Sequence, residues 1–400
     1  MRRLRRLLCA LALAPWAASS AASAQELAAA APPPPEAGAI RVAVFNASLS
    51  RRGPGLAWKA LAEGRQDQVH AVADIIRLVR PDVIAVLELD HDREGLALSA
   101  LQALLARDGG APGIAYPHVF APEVNTGAPS GLDLDGDGEA AGPGDAWGWG
   151  AFPGQYGFAI LSRLPLATET ARSFARLEWE AMPGALIPRD FYGENAGAVR
   201  LSSKTHLDIA AALPGGGALH LLVSHPTPPV FDGPEDRNGR RNHDEIRFWA
   251  EYIDGADWIE DDRGGRGGLA PGARFVVLGD LNADPEDGDG RHEGIGGLLA
   301  HPRVQDPAPT SPGARAAASE QGGANARQAG DPARDTADWR DAGGPGNLRV
   351  DYALPSDGLA IAGSGVFWPA PDAPGAGLVW GGGRRPPSSD HRLVWVDIRP

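Results

Sequence analysis

Cysteine is almost missing from this 400-residue chain, with Cys9 the only one. That excludes an internal disulfide framework and a thiolate-built zinc centre. Lysine is nearly as scarce: Lys59 and Lys204 are the two in the chain. With 37 Lys and Arg against 51 Asp and Glu, the formal charge is −14. Extended nucleic acid is held by clustered cations, so this balance disfavours it as a partner. No apolar run approaches the ~20 residues of a membrane span, and no solenoid or propeller repeat is present.

What is plentiful is glycine (53) and proline (36), which point to long structured loops in one large unit. Met1-Arg-Arg-Leu-Arg-Arg6, the apolar Leu7 to Ala18, and Ala22-Ser-Ala24 read as an export signal over 1–24, cleaved after Ala24. Losing its four arginines would take the mature charge from −14 to −18. Residues 25–39, ending in Pro32-Pro-Pro-Pro35, form a disordered Pro/Ala-rich lead-in. The remainder, 40–400, reads as one domain with insertions at 126–153 and 307–345. A secreted or periplasmic monomer, with no transmembrane segment in the mature chain, is expected.

Strands are expected at Ile40 to Phe45, Asp82 to Leu87, Phe158 to Leu161, Phe275 to Leu278, Leu348 to Leu354, Leu359 to Phe367 and Arg392 to Ile398. Leu201 to Ile209 and Ala218 to Val223 pair plausibly as a hairpin across Pro214-Gly-Gly-Gly217. Helical spacing runs over Gln66 to Arg80, Leu96 to Leu105 and Asn242 to Ile259, the last with Phe248, Trp249 and Tyr252 as anchors. Helices and strands alternating early, with strands clustered late, give an α/β or α+β sandwich. Several strands end on polar residues, and Phe275-Val-Val-Leu278 delivers Asp280 and Asn282 beyond Gly279. Residues two apart on an extended chain face the same side.

Gly279-Asp280-Leu281-Asn282 resembles the Gly-Asp-x-Asn signature of the endonuclease/exonuclease/phosphatase superfamily, the DNase I-like fold. Five more stretches follow in that family's order. They are Val42-Ala-Val-Phe45 with Asn46, Val83-Ile-Ala-Val-Leu-Glu88, Tyr156-Gly-Phe-Ala-Ile-Leu-Ser162, Arg349-Val-Asp-Tyr-Ala-Leu-Pro355 and Ser389-Asp-His391. Leu221-Leu-Val-Ser-His225 supplies the mid-chain histidine. The resemblance covers about Ile40 to Ile398. It implies a four-layer sandwich, two mixed β-sheets face to face with helices outside, and a site where strand ends meet.

Phosphoester hydrolysis needs neutralised phosphoryl oxygens, an oriented water and a stabilised leaving oxygen. Glu88, a carboxylate ending an apolar strand, is assigned as principal ligand of Mg²⁺ or Mn²⁺. Asn46 orients it or touches metal or phosphate, and Asp390 turns to the metal side. By the resemblance Asp351 orients His391, which stabilises phosphate or accepts the proton of the attacking water. Asp280 orients that water, and Asn282 donates to a phosphoryl oxygen. His225 is preferred over His206, which reads as a structural histidine. Pro226-Thr-Pro-Pro229 departs from the family pattern beside it.

Leu132-Asp-Leu-Asp-Gly-Asp-Gly-Glu139 matches the first half of an EF-hand-type loop, with Asp133, Asp135 and Asp137 as ligands and Asp145 closing the site. The twelfth position is Gly144 rather than Glu, so a flexible acidic loop is the competing reading. Asp284-Pro-Glu-Asp-Gly-Asp289 is a weaker acidic loop beside the site. Trp147, Trp149, Phe152 and Tyr156 line a substrate cleft, grip a lipid interface, or pack the insertion down. The expected activity is that of an exported, metal-dependent phosphodiesterase. A DNase-like nuclease and a sphingomyelinase-like lipid phosphodiesterase are the alternatives within the family. A non-catalytic, calcium-stabilised surface-binding module is the alternative of another class.

Overall fold

The computed structural model describes residues 26–381 and 386–400. The expected export signal and Cys9 lie outside the described residues. Among them no helix is long and apolar enough to cross a membrane.

Among the described residues eleven strands form two mixed sheets. The first has the order β10 (Ala360–Val366), β11 (Val394–Arg399), β1 (Ile40–Asn46), β2 (Val83–Leu87), β4 (Phe158–Ser162), β3 (His118–Phe120). The second runs β5 (Arg172–Ser173), β6 (Leu207–Ala212), β7 (Ala218–Ser224), β8 (Phe275–Asp280), β9 (Asp351–Pro355). Each sheet contains one parallel pair among antiparallel neighbours, β1 with β2 and β7 with β8. The helices are α1 (Leu56–Glu63), α2 (Asp67–Val79), α3 (Leu96–Ala106), α4 (Arg237–Ile253), α5 (His292–Leu299) and α6 (Pro312–Gln321), besides short turns.

Alternation sorts the side chains into layers. On β7 and β8, Leu221, Val223, Val276 and Leu278 join the core between the sheets. Their neighbours Leu222, Phe275 and Val277 face the opposite way, into a second core with Phe248, Trp249 and Tyr252 of α4. Trp249 Nε1 donates to Ser224 Oγ at 2.8 Å, which ties α4 to the end of β7. The outcome is the expected sandwich of two sheets with outer helices.

Several boundaries differ from expectation. β6 starts at Leu207 rather than Leu201, because Ser203 spends its polar groups outside the sheet: its N–H and hydroxyl both donate to Glu245 of α4. α4 begins five residues earlier than Asn242 and stops at Ile253. α1 and α5 were not anticipated, and α6 lies inside the 307–345 segment expected as loop. Ser311 caps α6 by accepting from the Ala314 N–H at 3.2 Å, and Pro312 opens it.

The first and last strands are clamped by a buried ion pair. Arg41 donates to both Asp397 oxygens at 2.7 Å, to the Val79 carbonyl at 2.9 Å and to the Pro33 carbonyl at 2.7 Å. Removing one partner of such a pair leaves the other charged and uncompensated, a loss of about 3–5 kcal/mol. Asp397→Ala should therefore lower the urea midpoint by that equivalent. An unchanged midpoint would show that Arg41 finds other compensation.

Candidate active site

Strand geometry assembles the site. In parallel pairs the C-terminal ends share an edge, so Asn46 lies beside Leu87 and Ser224 beside Gly279. Each of these ends runs straight into polar residues: Asn46 itself, Glu88, His225 and Asp280. β9 is antiparallel to β8 and starts with Asp351 opposite Asp280. β11 is antiparallel to β1, so the turn before it brings His391 to the end of β1, where Ser389 Oγ donates to the Asn46 carbonyl at 2.7 Å.

Asp280 Oδ2 is the hub. Asn46 Nδ2 donates to it at 3.0 Å, His225 Nε2 lies 3.3 Å away and His391 Nε2 3.6 Å away. His391 Nδ1 stands 3.0 Å from Asp351 Oδ2, giving a chain Asp351–His391–Asp280. Asp280, Asp351 and His391 each bring one ligand-type atom within 4.8 Å of the others. All five residues, with Asn46, are at least nine-tenths buried.

The two histidines differ in charge. Burial alone would lower the His391 imidazole, but Asp351 and Asp280 outweigh it and hold it well above the ordinary range. That placement between two carboxylates favours the charged form of the His391 ring, while burial raises the Asp351 carboxyl to about 6. Burial pushes His225 well down, and the charges of Lys204 and His391 add to that. His225 Nε2 faces Asp280, and its Nδ1 is buried with no hydrogen-bond partner.

Glu88 sits just past β2 in a left-handed conformation, φ 56°, which turns its side chain out of the strand repeat. Burial, then the Asp390 charge, push its carboxyl up to about 7, although Asn46 Nδ2 donates to it at 3.3 Å. A group so placed gains from a cation. Asp390 lies on the same side and accepts from Trp339 Nε1 at 3.3 Å. Asn282, also left-handed at φ 50°, directs its Nδ2 to the Pro226 carbonyl at 3.1 Å, so part of its donor capacity is used by the chain. Tyr156 stands close enough to Glu88 and Asp90 for both charges to raise its phenol, after burial. Its ring centroid is 6.2 Å from that of exposed Trp149.

The expected calcium loop and the histidine read as structural, His206, stand apart from this centre. The Asp133–Asp145 loop lies in the 126–153 insertion. His206 precedes β6, with Nε2 2.7 Å from the Glu245 carbonyl and Nδ1 2.6 Å from Ser202 Oγ. Burial lowers it to about 4. Its folded value thus lies below the unfolded ~6.5, so the folded state binds fewer protons between the two. The stabilisation is complete above pH 6.5 and is lost as pH falls towards 4, about 3 kcal/mol over that window. Acid unfolding of His206→Gln should lack this component. Identical acid limbs for the variant and the parent would refute it.

Sequence reasoning missed Lys204. It is buried at 6% exposure, and the hydrogen bond from its ammonium to the Pro226 carbonyl is 3.5 Å long. Glu245, Asp280 and Glu88 act on it electrostatically, opposing the lowering caused by burial. The signal was the rarity of lysine just ahead of a strand.

The family model described as Endonuclease/Exonuclease/phosphatase family matches residues 44–391, nearly the whole of the strand-end constellation. The chain belongs to this family. Its members hydrolyse phosphoester bonds, and this chain is a hydrolase of that type. Among solved structures it is similar to an endonuclease/exonuclease/phosphatase from Beutenbergia cavernae, at 17% identity and TM-score 0.52, over 90% of this chain and 71% of that one. It also matches sphingomyelinase C from Streptomyces griseocarneus at 15% identity and TM-score 0.45, covering 90% and 99% of the two chains. The human Nocturnin catalytic domain with bound sulfate matches at 14% and 0.43, covering 91% and 94%. These likenesses concern the fold. No curated protein matches the chain.

Proposed function

We propose that this family member is an exported, divalent-metal-dependent phosphodiesterase that directs water onto phosphorus. The observation that carries the reading is Asp280 Oδ2, faced by His225 Nε2 at 3.3 Å and His391 Nε2 at 3.6 Å. Glu88, with Asn46 and Asp390, fits a hard cation, since burial and Asp390 leave the carboxylate short of positive charge. Mg²⁺ or Mn²⁺ held there would neutralise the phosphoryl oxygens as charge develops.

The chain's own residues supply the rest. Asp280 accepts a hydrogen bond from the attacking water and aligns it. His225, neutral with a bare Nδ1, keeps a proton acceptor in the same buried space. His391, held as a cation by Asp351, presents a positive N–H to the phosphoryl group or leaving oxygen. Asn282 contributes the amide hydrogen that Pro226 leaves free. The acidic balance favours small or lipid phosphodiesters over duplex DNA. Tyr156 and Trp149 would form an aromatic wall for the ester group.

The decisive assay uses purified protein on bis-p-nitrophenyl phosphate, a phosphomonoester, plasmid DNA and sphingomyelin, each with Mg²⁺, Mn²⁺ or chelator. Metal-dependent release from a diester, at least tenfold faster than from the monoester, is expected. Preference for plasmid DNA would favour the nuclease reading. Activity undiminished by chelator would overturn metal dependence. Export is tested by N-terminal sequencing of the secreted protein, which should begin at Gln25.

A further inference from the structure

None of the catalytic steps uses Lys204, a buried amine just ahead of β6. Its exposure of 6% falls between the 4% of His225 and the 8% of Asn282, so it lies at the depth of the reaction centre. Burying an ammonium is costly unless a carboxylate or several good acceptors meet it. Among the described residues no carboxylate oxygen comes within 4.0 Å of it, the distance at which exposed Lys59 meets Glu63. The Pro226 carbonyl, at 3.5 Å, lies beyond the usual reach of an N–H···O bond. An ammonium carries three donors, and this contact is weak compensation for them.

Geometry ties the group to the site. The Pro226 carbonyl that it faces also accepts from Asn282 Nδ2 at 3.1 Å. Ammonium and amide therefore converge on one oxygen, that of the residue after His225. Asn282 is held in turn through its backbone N–H, which donates to Asp280 Oδ1 at 3.0 Å. The segment they meet is poor in partners: His225 Nδ1 and Thr227 Oγ1 are both buried without a hydrogen bond. Buried polar atoms are almost always paired, so unpaired ones on neighbouring residues mark a place for a ligand.

The backbone around Lys204 is fixed by other groups. Glu245 of α4 accepts from the Ser203 N–H at 2.7 Å and from the Thr227 N–H at 2.6 Å. One carboxylate thus bolts together the two segments that flank the ammonium. The Lys204 carbonyl itself accepts from the Asn125 N–H at 2.9 Å. Both segments hold their places without help from the lysine side chain.

We propose that Lys204 is a substrate-binding residue whose ammonium, beside Asn282 Nδ2, takes a non-bridging phosphoryl oxygen of the diester. This contact rests on the phosphodiesterase reading and needs no metal. A phosphoryl oxygen brings the negative charge that the ammonium otherwise lacks, in a charge-assisted hydrogen bond. The centre then has two cationic supports of different kinds. A metal at Glu88 comes and goes, whereas the lysine is part of the chain.

Calorimetry in chelator, with inorganic phosphate and dimethyl phosphate as probes, reads this contact without metal or turnover. The parent should bind both, and Lys204→Met should weaken each by about ten- to a hundredfold. The unliganded Tm of Lys204→Met should stay level or rise, because an apolar chain of similar length replaces an uncompensated buried charge. With saturating Mg²⁺, the loss in diester kcat/KM should lie in KM. The Mg²⁺ needed for half-maximal activity should not rise, unlike in Glu88→Ala. Phosphate affinity unchanged in Lys204→Met would overturn the proposal, and a lowered Tm beside it would make Lys204 a strut for the Pro226 loop. A parent that binds neither probe would overturn it too. Should Lys204→Met fold poorly, Lys204→Gln, which keeps a donor without the charge, must by itself weaken both probes about fivefold or more. Phosphate binding that depends on Lys204 in a protein that cleaves no diester would uphold the contact and refute the catalytic reading, so the two fail separately.

Discussion

His391→Ala should lose about 10²–10⁴-fold in kcat/KM on a phosphodiester, while its apparent affinity for Mg²⁺ changes little. The imidazole is buried, and Asp351 at 3.0 Å and Asp280 at 3.6 Å favour its charged form. Removing it deletes the donor that meets developing negative charge and leaves two buried carboxylates uncompensated. Asp351→Asn should resemble it, because an amide offers the ring the wrong partner and no charge. Residues acting as one unit are not additive. The double variant should therefore be little slower than His391→Ala alone. Metal titrations of kcat/KM for the three folded variants decide the matter. Multiplied losses in the double variant, or near-parental turnover in His391→Ala, would break the Asp351–His391 pairing.

Glu88→Ala should fail differently. Here the loss is in metal affinity: the concentration of Mg²⁺ or Mn²⁺ needed for half-maximal activity should rise by at least tenfold. High metal should restore part of the turnover, because Asp280, His225 and His391 remain in place. Burial and the Asp390 charge hold this carboxyl near 7, and the same variant removes that crowding. The apo protein should thus be no less stable than the parent. Direct binding by calorimetry supplies the second readout. Unchanged metal affinity with a lowered kcat would assign Glu88 to the chemistry instead.

The legibility of this molecule in its sequence is uneven for physical reasons. Phe275-Val-Val-Leu278 and Val83-Ile-Ala-Val-Leu87 are buried on both faces, so their apolar runs announce central strands. Polar residues stranded at their ends then announce a site. Asp280 and Asp351 as cross-strand neighbours follow from sheet register, which no local spacing encodes. The left-handed turns at Glu88 and Asn282 were equally silent, since neither residue type demands a positive φ. Lys204 was overlooked because the carboxylates that act on it, Glu245, Asp280 and Glu88, arrive from three distant segments. The hairpin around Pro214 to Gly217 was legible because its turn chemistry is local, whereas α1 and α6 are short and alanine-rich, with weak periodicity.

The clamp between β1 and β11 has a consequence for how activity is acquired. Asn46 and His391, like Arg41 and Asp397, come from segments far apart in the sequence, and β1 pairs with β11 along five residues. No partial fold can hold the reaction centre, because its last histidine enters only when the final strand docks beside the first. Such closure brings together segments some 350 positions apart, an arrangement associated with slow folding. During refolding, helical signal should return well before turnover does. Catalysis in this protein is therefore a reporter of chain closure, reading out the last step of assembly rather than the first.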